Sequence, residues 1–358
     1  MLNVIPPSAD ADFGKLCTWP VLLTALLKHQ NLTSEETFWA MNEVMKGQAH
    51  EVNIACFMIA LRAKGETVKE VNGLVDAMYA WSVPLPITGP AVDIVGTGGD
   101  QANTVNISTM AAIVAAAAGA KVVKHGNRSA SSRSGSSDML EKLDIRLDLS
   151  ARRTAEIAEQ IGITYCHAAN FHPLMRHAAP VRSLIGVPTT FNFLGPLTNP
   201  ARVAYHAIGS FDFGMAKLMA AVLALRGSQG LVFRGDDGLD ELTITGKSHV
   251  WIVRCGTISE DSIDPRDLGI PISDAGSLRG GDAKENAEIA RRVFAGERGP
   301  VRDAVLLNAA AGLVALNLTD DPVVEQLATG VDRAKHAIDS GAAEHTLQRW
   351  AVAAAEPC

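Results

Sequence analysis

The segment SVPLPITGP, Ser82–Pro90, carries three prolines and one glycine in nine residues, so it cannot continue a helix. It divides the chain into two stretches of different periodicity. Upstream, apolar residues recur at helical spacing, as in Phe38, Met41, Val44 and Met45, then Ile54, Phe57, Met58 and Leu61. Thr33 and Ser34 ahead of Glu36 have the form of a helix start. Downstream, short apolar runs (AVDIV, AKVVKH, VAYHAIGSF, GLVFRG, HVWIVR) alternate with helical patterns such as ISTMAAIVAAAAG. Strand, loop, helix and strand in this order predict an α/β fold: a small N-terminal helical domain, residues 1–86, and a large domain, residues 87–358, with a mostly parallel sheet flanked by helices. From Asp282 the pattern is helical again and predicts a helical wrapping of that sheet.

In such sheets ligands bind beyond the carboxyl ends of the strands, which directs attention to the loops after AVDIV, AKVVK and GLVFR. The first is GTGGD, Gly96–Asp100, followed by QANTVNIST. Glycines let backbone N–H groups approach an anion, and Asn106, Ser108 and Thr109 stand where a helix N-terminus would offer more. The loop lacks GK[ST] and is not GxGxxG, which weakens the common nucleotide readings. By itself it is either a tight turn or a ligand loop.

The second loop, KHGNRSASSRSGSSD, packs four basic or titratable side chains and six serines into fifteen residues. Lys124 and Arg128 would attract phosphate, and the serines would donate to its oxygens. Ser136, Ser137 and Asp138 are also good capping types for the helix that follows, and both readings can hold at once. The third loop, RGDDGLDEL, holds four acids: Asp236, Asp237, Asp240 and Glu241. They form either a solvated turn or a site for Mg²⁺, a hard ion that bridges carboxylates to phosphates. A fourth segment, NFHPLMRHAAPVR, is either a surface helix with scattered basic residues or a place where an arginine meets an acidic substrate. His167, His172 and His177 are five apart and do not share a helix face, which disfavours zinc. His206 and His249 lie in apolar strand-like runs and read as core histidines. No Ser-His-Asp or Cys-His arrangement stands out, so the chemistry expected is positioning and charge stabilisation.

Composition excludes several classes. A formal charge of −7 and the lack of an arginine run argue against a nucleic-acid footprint. Five widely spaced cysteines without a CxxC pair argue against a disulfide framework and point to a reducing, cytoplasmic setting. The N-terminus lacks the basic start and apolar run of a signal peptide, and the run Met110–Ala120 is far short of the ~20 residues that span a bilayer.

Taken in order, GTGGD with NIST, KHGNRSASSRSGSSDMLEKL, FHPLMRHAAPVR, FNFLGPLTNPA and RGDDGLDEL resemble the anthranilate phosphoribosyltransferase family. The resemblance runs from about Leu16 into the C-terminal helices. It implies a homodimer in which a helical segment of about 173–186 joins the small domain in space, with the substrates meeting at the hinge. The implied reaction joins anthranilate to 5-phospho-α-D-ribose 1-diphosphate (PRPP), with Mg²⁺, two ions per subunit, as cofactor. PRPP would be met by Gly96, Gly98, Gly99, Asp100, Thr104, Asn106, Ser108, Thr109, Lys124, Asn127, Ser131 and Ser132. Anthranilate would be met by Gly96, His125, Asn127, His172, Met175 and Arg182, the last facing its carboxylate, and the metal by Ser108, Asp240 and Glu241. The chain departs from the commonest family pattern at Gln101 and Asp144, where glycine is usual, at Ala169, where proline is usual, and at Arg234, where histidine is usual. Arg234 could pair with Asp236 or Asp237. The implied alternatives are a relative acting on a substituted anthranilate or a nucleoside, or a non-catalytic nucleic-acid-binding relative.

Overall fold

The computed structural model describes residues 17–128 and 134–356. They divide into two compact units: a helical one, up to Val83 together with His172–Leu194, and an α/β one, Pro84–Phe171 together with the rest from Gly195.

The helical unit begins with α1 (Trp19–Leu27), α2 (Ser34–Met45), α3 (Glu51–Lys64) and α4 (Val68–Ala80). Its apolar spacing becomes a core of Met41, Val44, Phe57, Leu61 and Leu74, all fully buried. Thr33 and Glu36 close a capping box on α2, and Thr67 and Glu70 close another on α4. Glu70 is buried, yet its carboxylate accepts from Leu32 N (2.8 Å), Thr67 N (2.8 Å) and Lys64 Nζ (2.9 Å), so its charge is matched. The segment from His172 adds a 3-10 turn (Pro173–His177), a short helix (Ala179–Ile185) and a second turn (Thr190–Asn192). His177 Nδ1 donates to Met45 O at 3.0 Å, Thr190 Oγ1 donates to Glu66 at 2.5 Å, and the Arg62 guanidinium covers the Phe193 ring.

The α/β unit runs β1 (Val92–Gly96), α5 (Ile107–Ala117), β2 (Val122–Gly126), α6 (Ser136–Lys142), α7 (Ala151–Ile161), β3 (Ile163–His167), β4 (Tyr205–Gly209), α8 (Phe213–Leu225), β5 (Gln229–Gly235), β6 (Ser248–Arg254) and β7 (Thr257–Ile263). It ends in α9 (Ala283–Phe294), α10 (Pro300–Leu316), α11 (Val323–Asp339) and α12 (Ala342–Ala355). The sheet order is β3-β2-β1-β4-β5-β6-β7, with β1 to β5 parallel and β6 and β7 antiparallel. The chain leaves β1 toward β2 on one side and returns to β4 on the other, so β1 and β4 flank a topological switch point, where such sheets open a ligand crevice. The C-terminal region does more than wrap the sheet. In α10 every residue from Ala304 to Ala315 is buried, and the helix packs on α5, β1, β4 and β5.

Two expectations are corrected here. His206 is buried as expected, but His249 is half-buried: it lies beside Phe213 and Trp251 on one face of the sheet, with its Nε2 3.1 Å from Glu260 of the exposed edge strand β7. At the start of α6 Asp138 caps as expected, accepting from Gly135 N at 2.9 Å, whereas Ser136 and Ser137 bond elsewhere. Among the described residues no helix is long and apolar enough to cross a membrane.

Candidate active site

The carboxyl ends of β1 and β4 finish on paired glycines, Gly96 and Gly209. The acidic loop after β5 lies directly on them. A Cβ at Gly96 would fall 2.2 Å from Asp240 Oδ2, and one at Gly209 would fall 1.6 Å from the Asp240 carbonyl oxygen. No other residue type lets the loop come this close.

So placed, Asp240 Oδ2 accepts from Gly98 N at 2.6 Å, and Glu241 Oε1 accepts from Ser108 N, in the first turn of α5, at 3.2 Å. Both acids are 8% exposed. Burial and the nearby Asp100 lift Asp240 to about 7, and burial and Asp240 lift Glu241 well above the usual carboxylate range. The four acids of this loop therefore divide by environment. Asp237 ties the turn, accepting from Leu239 N, Thr243 Oγ1 and Thr245 Oγ1, and Asp236 is exposed. Arg234 pairs with neither: its Nε donates to Phe211 O at 2.7 Å, because strand β5 directs it back across β4's end.

Lys124, on β2, is 1% exposed, and its ammonium donates to Ile94 O at 2.5 Å and Ser108 Oγ at 3.2 Å. Burial lowers its pKa against the pull of Asp93, Glu241 and Asp240. It stands behind Ser108 rather than in solvent. Arg128, expected to attract phosphate, is engaged with Asp138 (2.6 Å) and Glu141 (2.7 Å), so its charge is neutralised within the loop.

The remaining PRPP candidates surround the same strand ends. Thr104 bridges to Arg279. Asn106 precedes α5; its Nδ2 donates to Ser134 O at 3.1 Å and its Oδ1 accepts from Asn286 at 2.9 Å. Thr109 Oγ1 donates to Ser136 at 3.0 Å, joining α5 to α6. Gly98 and Gly99 take left-handed backbone, as does Gln101 at φ 59°. A side chain in that region costs about 1 kcal/mol relative to glycine, and Asp144, at φ 65°, bears the same penalty. Ser131 and Ser132 lie outside the described residues.

Of the acceptor candidates, His125 holds Gly195 O through Nδ1 at 2.9 Å, and Asn127 is exposed with its Oδ1 accepting from Arg128 N. His172, Met175 and Arg182 belong to the helical unit. Arg182 is partly buried, which lowers its pKa, and no carboxylate pairs with it among the described residues.

Several partners carry no signal in the sequence. Asp93 is fully buried and accepts from His125 N (3.1 Å) and Asn199 Nδ2 (2.8 Å), while Asn199 also donates to Val123 O. Ser137 Oγ lies 2.9 Å from Tyr165 Oη and 3.0 Å from His167 Nδ1, which anchors the start of α6. Burial lifts Asp93 to about 6 from an ordinary 3.8, in spite of Lys124. The folded chain thus holds a proton that the unfolded chain has released, and the stability this contributes is present below about pH 4 and lost as pH rises through about 6. Relative to wild type, Asp93→Asn should gain on the order of 3 kcal/mol from pH 4 to pH 7. Urea unfolding across that range measures it, and parallel curves would exclude the assignment.

Fold and site together are those of a two-part glycosyl transferase. The family model described as "Glycosyl transferase family, a/b domain" matches residues 88–344, and that described as "Glycosyl transferase family, helical bundle domain" matches residues 20–82. The chain is 56% identical over 352 residues to an anthranilate phosphoribosyltransferase of Streptomyces griseus, covering 98% of this chain and 99% of that one. It is similar to the crystal structure of anthranilate phosphoribosyltransferase from Thermus thermophilus (TM-score 0.87, 39% identity, 94% of this chain and 99% of that chain). It also resembles the Saccharomyces cerevisiae enzyme in complex with PRPP and Mg (TM-score 0.85, 26% identity, 94% and 97% covered). The chain belongs to the anthranilate phosphoribosyltransferase family.

Proposed function

We infer that the chain transfers the 5-phosphoribosyl group of PRPP to the amine of anthranilate, giving N-(5-phosphoribosyl)anthranilate and pyrophosphate, as a step of tryptophan biosynthesis. The observation that carries this reading is the meeting of a glycine loop, the first turn of α5 and a buried carboxylate pair at the β1/β4 switch point, in a chain 56% identical to a family member over nearly its whole length.

An aryl amine is neutral near pH 7, so its nitrogen can attack the ribose anomeric carbon without a strong base. The barrier lies in separating charge as the bond to pyrophosphate breaks. Gly98, Gly99 and the first turn of α5 offer backbone donors for phosphate oxygens, and Lys124 supplies positive charge from behind Ser108. Ser108, Asp240 and Glu241 are an all-oxygen donor set, and the raised proton affinity of the two acids is what a hard divalent cation would replace. Mg²⁺, two ions per subunit, would there neutralise the departing pyrophosphate. Arg182 pairs with the anthranilate carboxylate, and His172, Met175, His125, Asn127 and Gly96 complete the acceptor contacts. The enzyme is a cytoplasmic homodimer that binds no nucleic acid; Val52 and Ile59, exposed at i, i+7 spacing on one face of α3, offer apolar surface for a second copy, and the net charge of −7 opposes nucleic acid.

Mixing the protein with anthranilate, PRPP and Mg²⁺ should extinguish anthranilate fluorescence with stoichiometric pyrophosphate release. No loss in a folded protein that binds PRPP would overturn the acceptor assignment. Arg182→Ala should raise the KM for anthranilate by about tenfold to a hundredfold, the value of one charge-assisted pair, with a smaller change for PRPP. Equal changes for both substrates would count against the carboxylate role.

A further inference from the structure

Between Ala304 and Ala315 helix α10 is buried and apolar except for Asn308, which is 0% exposed. An asparagine inside a helix is a poor helix former, and its amide must find partners when buried. It finds both on one residue of another segment. Asn308 Oδ1 accepts from Leu242 N at 2.9 Å, and Nδ2 donates to Leu242 O at 2.9 Å and to Ala304 O at 3.0 Å. The side chain thus engages the backbone of Leu242 as a neighbouring strand would.

Leu242 directly follows the acidic pair. Asp240 Oδ2 accepts from Gly98 N at 2.6 Å and Glu241 Oε1 from Ser108 N at 3.2 Å, so where the loop is held decides where the two carboxylates stand. On its N-terminal side the loop is held by Leu239 O, which accepts from Gly235 N at 3.0 Å. On its C-terminal side it is held by Asn308. Helix α10 is itself fixed to β1: a Cβ at Gly312, one turn beyond Asn308, would lie 2.3 Å from Ile94. We propose that Asn308 is a positioning residue for metal binding, which sets the Asp240–Glu241 pair against the glycine loop and α5 from the far side of the core. The inference rests on the assignment of those two acids to the metal.

The test is direct Mn²⁺ binding, followed by electron paramagnetic resonance with PRPP present, beside steady-state kinetics and thermal unfolding. Asn308→Leu, which removes both bonds to Leu242 along with that to Ala304, should raise the Mn²⁺ dissociation constant at least about tenfold, as loss of a group orienting metal ligands does, and leave the anthranilate KM within about twofold. Val305→Ala, in the same buried helix, should lower the melting temperature and leave Mn²⁺ binding as in wild type. If Asn308→Leu does not fold, Asn308→Ser, which retains one hydroxyl, is read by the same criterion. A variant at Asn308 that is less stable but binds Mn²⁺ like wild type would overturn the proposal, as would equal weakening by Val305→Ala. If the Asp240→Asn, Glu241→Gln double variant also bound Mn²⁺ normally, the metal assignment itself would fall. Weakened binding in that double variant with normal binding at Asn308 would remove only the positioning role.

Discussion

Converting Asp240 to Asn and Glu241 to Gln in one chain is expected to lower Mg²⁺-dependent turnover on the order of a hundredfold or more, with no loss of metal-free stability. The two effects separate because the same burial acts in opposite directions on them. Without metal, each ionised acid is desolvated and faces another carboxylate, which is why both hold their protons more tightly than usual. The amides keep the shape and can still accept from Gly98 N and Ser108 N, so the metal-free melting temperature should hold or rise. What they cannot supply is negative charge toward a cation. A rate titration against Mg²⁺ together with thermal unfolding checks both halves, and an unchanged metal dependence would undo the assignment.

Gly209→Ala is expected to damage stability and activity together. The added methyl would sit 1.6 Å from the Asp240 carbonyl oxygen and 2.3 Å from its carbonyl carbon, so backbone must move. Neither side yields easily: β4 is held in the ladder between β1 and β5, and the acidic loop is fixed by Gly98 at Asp240 and by Asn308 at Leu242. Overpacking of this kind costs about 1–3 kcal/mol, and a shift of about 1 Å in a positioning group can cost about a hundredfold in rate. Gly246→Ala, where a Cβ meets nothing within 4 Å, is the matched control. Wild-type activity in Gly209→Ala would show that the close approach of loop and strand does not matter to the site.

The parts of this fold that were legible in the sequence are those where periodicity and burial coincide. The strands β1, β2, β4, β5 and β6 are short apolar runs, and each has a counterpart in the pattern. Strand β7, TISEDSI, is almost wholly exposed at the sheet edge, so it has neither an apolar run nor an alternation to betray it. At the site, only the family resemblance singled out Asp240 and Glu241; the glycine loop and the acidic loop were visible as candidates, each with a plain turn as its alternative. The division among the four acids was not, since it depends on Gly96 and Gly209 lying beneath Asp240 from strands far away in the chain. Arg128 and Arg234 show the same limit: a cation's charge can be read from its type, but its partners, Asp138 and Glu141 for one and the Phe211 carbonyl for the other, are fixed by packing. Asn308, Asn199 and Ser137 act through bonds between distant segments, to which residue spacing is blind.

The bonds from Gly98 N to Asp240 and from Ser108 N to Glu241 have a consequence for ligand loading. The amides proposed to receive phosphate are already occupied by carboxyl groups of the chain itself, so a bare phosphate would have to displace a tethered competitor. On the proposed assignment, a divalent cation held by Asp240 and Glu241 would compete with those two amides for the carboxylates. Cation and phosphorylated ligand would then reinforce one another, and because linkage is reciprocal, whichever arrived first would tighten the hold on the second by the same factor.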